Sequence, residues 1–339
     1  MSTNQNSEIL KTKALALLSG GLDSTLAVKL ILDQGIDVIA LNFTSPFCLC
    51  GPKGKCYASE VAENFEIPLK IINKGQEYLD VIRNPKFGYG SGMNPCIDCR
   101  IFILKKAKEY AKEIGAKFIF TGEVLNERPM SQHKSALALI EKEAGLENKI
   151  LRPLSAQLLP ETEAEKNGWV DRNKLLSIKG RSRKPQIALA KEYGIDDYPC
   201  PSGGCLLTYK GSANKVKDLF EHKDSVTLKD IHFLKVGRHF RFGKNKIIVG
   251  KNEAENETLL RLNNKTDYVF EVPNFGSPIT VLQGNETKEA INFAAKLTAT
   301  YSDAKDENEV LVKYGRTSLS KEIIVAPLNK QELDKFRVC

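Results

Sequence analysis

The sequence predicts an α/β fold, in which a doubly wound parallel sheet is followed by a smaller α+β domain. Short apolar runs alternate with helical stretches over the first 155 residues, the first run ends in a Gly-Gly turn, and the alternation stops beyond Pro160. These three observations predict an α/β domain at 1–160, a basic segment at 161–209 that completes its ligand site, and an α+β domain at 210–339.

The first element is the run Ala14–Leu18, which has the unbroken apolar pattern of a buried parallel strand. It ends abruptly in the turn Ser19–Gly21, and a stretch with apolar residues at helical spacing follows at once. Asp23 or Ser24 is expected to cap this helix, and Gly35 is expected to end it. Backbone N–H groups in such a turn, together with the positive end of the helix dipole, bind anions. The sequence therefore predicts a phosphate cradle.

No lysine lies in this turn, so we expect backbone amides, hydroxyl groups and a Mg2+ ion held partly by Asp23 to balance the phosphate charge. The run Ile36–Phe43 predicts a second strand and Pro68–Asn73 a third, with a short helix over Ala58–Glu66 between them. Because open parallel sheets bind ligands at the carboxyl ends of their strands, the third strand should end beside the cradle.

A CxxC motif follows the third strand. The stretch Asn84–Pro95 is too rich in Gly, Pro and Asn for a regular element, whereas Ile97–Ile114 has the apolar spacing of an amphipathic helix. Cys96 and Cys99 should therefore lie at a helix start and on one face of it. The dipole at a helix start favours the thiolate, which is the form that binds metals and attacks electrophiles.

The remaining elements are less regular. Lys117–Phe120 predicts a fourth strand that ends in Thr121–Glu123, and Ile150–Leu154 predicts a fifth. A basic loop at Lys179–Lys184 precedes a helix, and His239–Gly250 has the pattern of a hairpin with a basic turn. We expect the rest of the C-terminal region to mix short strands and helices.

Composition and charge limit the function classes. With 42% hydrophobic and 27% charged residues, the 339-residue chain has the composition of a globular protein. No apolar run approaches the roughly 20 residues of a membrane span, and the polar start lacks a signal peptide's apolar core, so a cytoplasmic protein with no membrane partner is expected. The net charge of +8 is concentrated in Asp171–Lys251, where 18 Lys and Arg face 8 Asp and Glu. This favours an RNA partner, with a merely solvated basic surface as the alternative.

Eight cysteines in a reducing compartment argue against a disulfide framework. Their spacing instead forms groups, of which one is clustered, one is the CxxC motif and one flanks a Gly-Gly pair. These groups are Cys48, Cys50 and Cys56, then Cys96 and Cys99, then Cys200 and Cys205, with Cys339 as the last residue.

The motif SGGLDS at Ser19–Ser24, directly after an apolar strand, resembles the signature of the PP-loop ATP pyrophosphatases, which adenylylate a carbonyl oxygen and release pyrophosphate. Over roughly residues 13–209 the chain further resembles the tRNA thiouridylases of this family. That resemblance is carried by NPCIDC at Asn94–Cys99, TGE at Thr121–Glu123, RPMSQ at Arg128–Gln132 and GGCLLT at Gly203–Thr208. It implies a Rossmann-like PP-loop domain in an enzyme that replaces a uridine oxygen of tRNA by sulfur, giving 2- or 4-thiouridine.

The resemblance also assigns roles to residues. ATP phosphates would be bound by the cradle, with Gly122 near the nucleotide, and the sulfur would be handled by three cysteines. The implied ATP-binding residues are Ser19, Gly20, Gly21, Asp23, Ser24 and Gly122, the catalytic residues are Asp23, Cys96 and Cys205, and the metal ligands are Cys96, Cys99 and Cys205. The sulfur donor would be a cysteine desulfurase or sulfide.

The form of the bound sulfur stays open at this stage. Three cysteines suit a four-iron four-sulfur cluster with one iron free of protein ligands, or one cysteine carries a persulfide. Structural zinc is a further alternative, in which Cys200 supplies the fourth ligand. The trio Cys48, Cys50 and Cys56 belongs to no standard pattern of the 2-thiouridylases, and either a second metal site or cysteines without function would account for it.

Two other function classes compete with tRNA thiolation. A PP-loop synthetase, amidotransferase or deazaguanine-forming nitrile synthase acting on a small molecule would leave the basic segment without a use. A non-catalytic RNA-binding protein on a degenerate nucleotide fold would not need the intact motif at Ser19–Ser24. The last 130 residues faintly resemble the RNA-binding NFACT-R module, chiefly around Arg238–Asn256, which is consistent with an RNA substrate.

Overall fold

The computed structural model describes residues 12–48, 57–196, 198 and 204–339. The chain divides into two compact units, residues 1–205 and 206–339. The larger part of the predicted basic segment, 161–205, lies in the first unit. None of the helices in the described ranges is long and apolar enough to cross a membrane. Cys50, Cys56 and Cys200 lie outside the described residues.

The first unit is built on a five-stranded sheet in which every neighbouring pair is parallel and the strand order is β3-β2-β1-β4-β5. The strands are β1 Lys13–Leu17, β2 Asp37–Thr44, β3 Leu69–Asn73, β4 Phe118–Thr121 and β5 Ile150–Leu151. This confirms the predicted parallel sheet. The predicted fifth strand is too long, because Pro153 has no N–H group with which to continue the ladder.

Helices cover both faces of this sheet. They are α1 Leu22–Leu32, α2 Tyr57–Asn64, α3 Glu77–Arg83, α4 Cys96–Glu113, α5 Lys134–Ala144, α6 Glu163–Lys166 and α7 Lys184–Glu192. Ala14 and Ala16 of β1 pack with α1 and α2, whereas Leu15 packs with α4 and α5 on the opposite face. The alternation of side chains along a strand thus produces the doubly wound architecture.

The start of α1 differs from the prediction. Neither Asp23 nor Ser24 is the N-cap; the cap residue is Gly21, and Asp23 lies in the first turn of the helix. The two glycines therefore turn the chain earlier than the capping preference of Asp and Ser suggested. Gly35 follows the helix with a φ of 77°, and its N–H donates to the carbonyl oxygen of Leu32, as expected for a glycine that ends a helix.

The second unit contains a six-stranded antiparallel sheet with the order β11-β10-β8-β9-β7-β6. The strands are β6 Arg238–Phe242, β7 Asn245–Val249, β8 Tyr268–Glu271, β9 Thr280–Gln283, β10 Val310–Gly315 and β11 Lys321–Val325. The predicted hairpin is β6–β7. The helices are α8 Lys210–His222, α9 Leu228–Phe233, α10 Glu253–Leu262, α11 Lys288–Thr300 and α12 Lys330–Asp334. The predicted α+β domain is confirmed.

Candidate active site

The phosphate cradle lies where the strand order of the first sheet reverses. β1 pairs with β2 on one side and with β4 on the other, and open α/β sheets bind ligands in the crevice beyond such a reversal. Ser19–Gly21 follows β1, and Thr121–Glu123 follows β4. The two motifs singled out by the sequence therefore meet at one edge of the sheet.

The cradle is held open by its own hydrogen bonds. The hydroxyl of Ser24 donates to the carbonyl oxygen of Gly21 at 2.9 Å, and the backbone N–H of Ser19 donates to that hydroxyl oxygen at 3.3 Å. Gly21, the N-cap of α1, has no side chain that could accept a hydrogen bond from the start of the helix. The first N–H groups of the helix therefore stay available to an anion. Gly20 has a φ of 77°, and a Cβ atom there would lie 2.5 Å from the backbone of Tyr57. Only glycine fits this position.

Gly122 lies directly against the start of α1. A Cβ atom at this position would lie 2.4 Å from the backbone nitrogen of Ser24 and 2.6 Å from the backbone carbon of Asp23. The chain leaving β4 can approach the cradle this closely only because Gly122 has no side chain. Gly122 therefore lies beside the cradle, and its position beside the nucleotide stays a prediction.

Asp23 lies in a pocket of mixed charge. Its Oδ1 atom is buried and has no hydrogen-bond partner among the described residues. Burial raises the pKa of its carboxyl above the ordinary value, although Arg183, Gln186 and Arg128 act in the opposite direction. The pKa of Glu127 is also raised, first by burial and then by the charge of Asp23. A carboxyl group whose charge is disfavoured by burial and by a neighbouring carboxylate suits a cation.

Glu123, the acidic residue of the TGE motif, has a structural role. It is buried, and its carboxylate contacts the guanidinium groups of Arg152 at 3.1 Å and Arg100 at 3.3 Å. Burial alone would raise the pKa of Glu123, but the two arginines outweigh it and hold this pKa below the ordinary value. Arg152 also pairs with Glu141 of α5. The network joins α4, α5 and the ends of β4 and β5 behind the cradle.

The CxxC motif lies in the first turn of α4, as predicted. The side-chain amide of Asn94 donates to the Sγ atom of Cys96 at 3.1 Å, and the Nζ atom of Lys74 donates to the Sγ atom of Cys99 at 3.2 Å. Lys74 is the residue after β3 and is only 6% exposed. An ammonium group in contact with a sulfur atom stabilises a sulfur anion.

Tyr78 lies near three cysteines. Its ring is buried, and the pKa of its hydroxyl is raised well above the ordinary value by burial and then by Cys99, Cys205 and Cys48. Cys48 and Cys205 also face each other as partners of an isolated antiparallel bridge. The structure thus groups Cys48, which fitted no expected pattern, with two of the three predicted sulfur-handling cysteines.

No three His, Cys, Asp or Glu side chains among the described residues are arranged to hold a metal ion. The predicted trio Cys96, Cys99 and Cys205 is therefore not assembled around one ion here, and its role as a metal site stays a prediction. Cys200, the suggested fourth zinc ligand, is outside the described residues. Cys339 is exposed and lies in the second unit.

Sequence reasoning missed four residues of this site, namely Lys74, Tyr78, Glu127 and Gln186. Lys74 and Glu127 each follow the carboxyl end of a strand, which is the one signal that would have found them. Tyr78 and Gln186 lie inside helices and belong to no motif. Only the fold brings them to the cysteines and to Asp23.

The family model described as Thiamine biosynthesis protein (ThiI) matches residues 10–157, which contain the cradle, Gly122 and the CxxC motif. Residues 10–157 are thus similar to the ThiI family over the part of the chain that carries the PP-loop motif. The model for the NFACT protein RNA binding domain matches residues 237–337, the part of the chain that holds the antiparallel sheet. Both resemblances predicted from the sequence are confirmed.

Individual relatives match parts of the chain. The tRNA-specific 2-thiouridylase MnmA of Leptospira biflexa is 30% identical over 128 residues, 33% of this chain and 33% of the relative. The enzyme of the same name from Listeria monocytogenes is 33% identical over 133 residues, 36% of this chain and 34% of the relative. The chain thus spans about one third of the length of the curated relatives it matches. A solved 4-thiouridine synthetase–RNA complex with bound ATP is 20% identical, covering 66% of this chain and 52% of that chain, with a TM-score of 0.39.

Proposed function

We propose that this protein is an ATP-dependent tRNA sulfurtransferase, which adenylylates a uridine carbonyl oxygen and replaces it by sulfur. The observation that carries the proposal is that an anion-binding cradle and a group of cysteines lie at the same edge of one parallel sheet. Ser19–Gly21 follows β1, Gly122 follows β4, Cys48 follows β2 and Lys74 follows β3. A reaction that joins ATP cleavage to sulfur chemistry requires this proximity.

In the ATP half of the reaction, the cradle binds the phosphate groups through the N–H groups at the start of α1. The carbonyl oxygen of the uridine forms a bond to the α-phosphorus atom, and the bond between the α- and β-phosphates breaks, so that pyrophosphate leaves. The uridine carbon then carries a good leaving group. Gly122 leaves room for this end of the nucleotide, because any side chain would collide with Ser24.

Asp23 and Glu127 fit a Mg2+ ion. The Oδ1 atom of Asp23 is buried without a partner among the described residues, and burial together with the charge of Asp23 disfavours the charged form of Glu127. Mg2+ commonly binds one or two carboxylates together with substrate phosphates. When bound, it would supply positive charge to the phosphates that are cleaved.

In the sulfur half, a cysteine-bound sulfur attacks the activated carbon and AMP leaves. Cys99 is well placed to carry an anionic sulfur, because Lys74 donates to its Sγ atom and Tyr78 lies against it. Cys205 and Cys48 lie around the same tyrosine. The arrangement supports a persulfide carried on a cysteine, with a second cysteine nearby to release the product.

An iron–sulfur cluster is the other form of sulfur that these residues fit by their chemistry, because Cys96, Cys99 and Cys205 offer three thiols. Those cysteines would hold the cluster, which would supply sulfide at an iron without a protein ligand. A zinc ion bound by the same three cysteines and Cys200 is the alternative, and Cys200 lies outside the described residues. The iron content and the persulfide content of anaerobically purified protein separate these carriers.

tRNA is the substrate that the charge and the domain composition favour. The stretch Asp171–Lys251 carries a local charge of +10, from 18 basic and 8 acidic residues. Residues 237–337 match an RNA-binding family, and the relatives of the first domain are named for acting on tRNA. A concentrated positive charge binds the phosphate backbone of RNA. A small-molecule substrate would leave both features without a role.

The test is a reconstituted reaction with purified protein, ATP, Mg2+ and unmodified tRNA in the absence of oxygen. One arm supplies sulfide, which can serve an iron–sulfur cluster, and the other supplies a cysteine desulfurase with cysteine and a thiol reductant, which delivers sulfur as a persulfide and reduces the disulfide that its transfer leaves behind. Mass spectrometry of the digested tRNA should detect a thiouridine, and its chromatographic position against standards tells 2-thiouridine from 4-thiouridine. The Asp23→Ala variant should form none while keeping the wild-type melting temperature. ATP cleavage that proceeds equally without tRNA, and no thiouridine with it, would favour the small-molecule alternative.

A further inference from the structure

Helix α7 runs alongside α1 in the same direction. Gln186 and Arg183 at the start of α7 lie beside Asp23 at the start of α1. Toward the other ends of the two helices, the Nζ atom of Lys29 lies 5.3 Å from the ring centre of Tyr193. Leu22, Leu26 and Leu30 of α1 pack against Ala190 and its neighbours in one apolar cluster. The positive ends of both helix dipoles therefore face the phosphate cradle.

Polar groups without partners are concentrated at this junction. The side chain of Gln186 is fully buried, and neither its amide nitrogen nor its amide oxygen has a hydrogen-bond partner among the described residues. The Nε atom of Arg183 and the Oδ1 atom of Asp23 are also buried and have no hydrogen-bond partner among the described residues. Buried polar groups are normally paired, so a group of unpaired ones that converge beside an anion cradle indicates a ligand.

The charge of the junction identifies the ligand class. Two guanidinium groups, Arg183 and Arg128, lie near the two carboxylates Asp23 and Glu127. Carboxylates exclude a bare anion, but a phosphate chain that carries a divalent cation satisfies both signs at once. The helix starts and the arginines then contact phosphate oxygens, while the carboxylates contact the cation.

We propose that the start of α7, with Arg183 and Gln186, and Arg128 opposite form a second wall of the phosphate site that holds the β- and γ-phosphates of ATP as the departing pyrophosphate. This inference rests on the ATP half of the proposed function. When the uridine oxygen bonds to the α-phosphorus, the electron pair of the broken bond passes to the pyrophosphate oxygen. Arg183 and Arg128 stabilise the charge that develops there.

This assignment separates Arg183 from its neighbours in the basic loop Lys179–Lys184. Arg181 and Lys184 are exposed, whereas Arg183 is half-buried and its Nε atom is fully enclosed. Arg181 therefore remains available to an RNA backbone. Arg181→Gln is the matched control for Arg183→Gln, because the two arginines lie two residues apart in one loop.

The test is calorimetric titration of the full-length protein with inorganic pyrophosphate and Mg2+, and separately with AMP. Arg183→Gln should weaken pyrophosphate binding by about tenfold to a hundredfold, as expected for a lost charged hydrogen bond. It should leave AMP binding and the salt dependence of tRNA binding unchanged. Arg181→Gln should leave pyrophosphate binding unchanged and should lower the salt slope of tRNA binding by up to about one unit.

Gln186→Leu distinguishes ligand binding from a structural role. Leucine matches the size of glutamine and fits the same buried space, so the variant should fold and melt close to the wild-type temperature. It should nevertheless bind pyrophosphate more weakly. Unchanged pyrophosphate affinity in both Arg183→Gln and Gln186→Leu would overturn the inference, as would a tRNA salt slope that Arg183→Gln lowers as much as Arg181→Gln does.

The inference and the proposed function can fail separately. If pyrophosphate binding depends on Arg183 but the protein forms no thiouridine, the second wall of the phosphate site is supported and the tRNA reaction is refuted. If the protein forms thiouridine but its pyrophosphate binding does not depend on Arg183, only the second wall of the phosphate site is refuted.

Discussion

The Nζ atom of Lys74 lies 3.2 Å from the Sγ atom of Cys99, and it lies 4.3 Å from the ring centre of Tyr78. Both Lys74 and Tyr78 are buried. The ammonium group of Lys74 therefore bridges a sulfur atom of the CxxC motif and the ring of Tyr78. A negatively charged sulfur at Cys99 would have this cation at hydrogen-bond distance.

Lys74→Met should lower thiouridine formation by at least about tenfold, because a thiolate or persulfide at Cys99 loses its counter-charge. Pyrophosphate release in a single turnover should persist, since the phosphate cradle is untouched. The rate at which iodoacetamide alkylates Cys99, followed by peptide mass spectrometry, should fall as well. Lys70→Met, on the exposed side of β3, is the control. Equal alkylation of Cys99 in wild type and Lys74→Met would refute the role of Lys74.

Gly122→Ala should abolish pyrophosphate release. The added methyl group would lie 2.4 Å from the backbone nitrogen of Ser24, so either the start of α1 or the end of β4 must move. ATP binding measured by calorimetry should weaken along with turnover. Gly211→Ala is the control, because a Cβ atom there would have its nearest neighbour at 3.9 Å. A Gly122→Ala protein with wild-type ATP affinity would mean that this contact does not shape the nucleotide site.

Glu123→Gln should destabilise the fold by about 3 kcal/mol at pH 7, because it removes one of the two carboxylates that neutralise the buried guanidinium of Arg152 and leaves only that of Glu141. The native pKa of Glu123 is lowered, so its contribution is complete above the ordinary value of 4.5 and is lost as the pH falls through the native pKa. Denaturant unfolding at several pH values should therefore give a difference between wild type and variant that shrinks on acidification. Glu109→Gln on the exposed face of α4 should change nothing measurable. A difference that stays constant with pH would contradict this account.

Mild oxidation should join Cys48 to Cys205. The partners of an antiparallel bridge have Cα atoms close enough for a disulfide, and both residues are thiols in this structure. Peptide mapping under non-reducing conditions should find this pair in preference to Cys96 with Cys205. Cys48→Ser should abolish the crosslink, and Cys339→Ser should not. A dominant Cys96–Cys205 disulfide would instead assign the release of the thiolated product to a cysteine of the CxxC motif.

The sequence was sufficient for features that depend on local pattern. The apolar run before Ser19, the glycines after it and the helical spacing after Cys96 each predicted a strand, a turn and a helix that the structure contains. The error at the start of α1 was also local, because Gly20 takes a positive φ and turns the chain before Asp23 can cap the helix. Elements of this kind are set by their own residues.

The rest of the site depends on contacts between distant parts of the chain. Lys74 meets Cys99, and Cys48 meets Cys205, at the edge where the parallel sheet collects the carboxyl ends of its strands. Arg183 lies near Asp23 because α7 packs alongside α1. The residues next to them in the sequence do not indicate which distant residue each of them contacts. The basic loop at 179–184 shows the same limit, since its charge suggested RNA contact for residues that the fold separates into exposed and enclosed ones.

Adenylylation of a uridine carbonyl is the central claim, and the fate of that oxygen tests it most directly. tRNA transcribed with uridine triphosphate labelled with oxygen-18 at one carbonyl should be incubated without oxygen gas with the protein, ATP, Mg2+ and a sulfur donor, which is either sulfide or a cysteine desulfurase with cysteine and a thiol reductant. If the labelled carbonyl is the one replaced, mass spectrometry should find one oxygen-18 atom in AMP for every thiouridine formed. Thiouridine formation accompanied by unlabelled AMP, with each of the two uridine carbonyls labelled in turn, would contradict the mechanism.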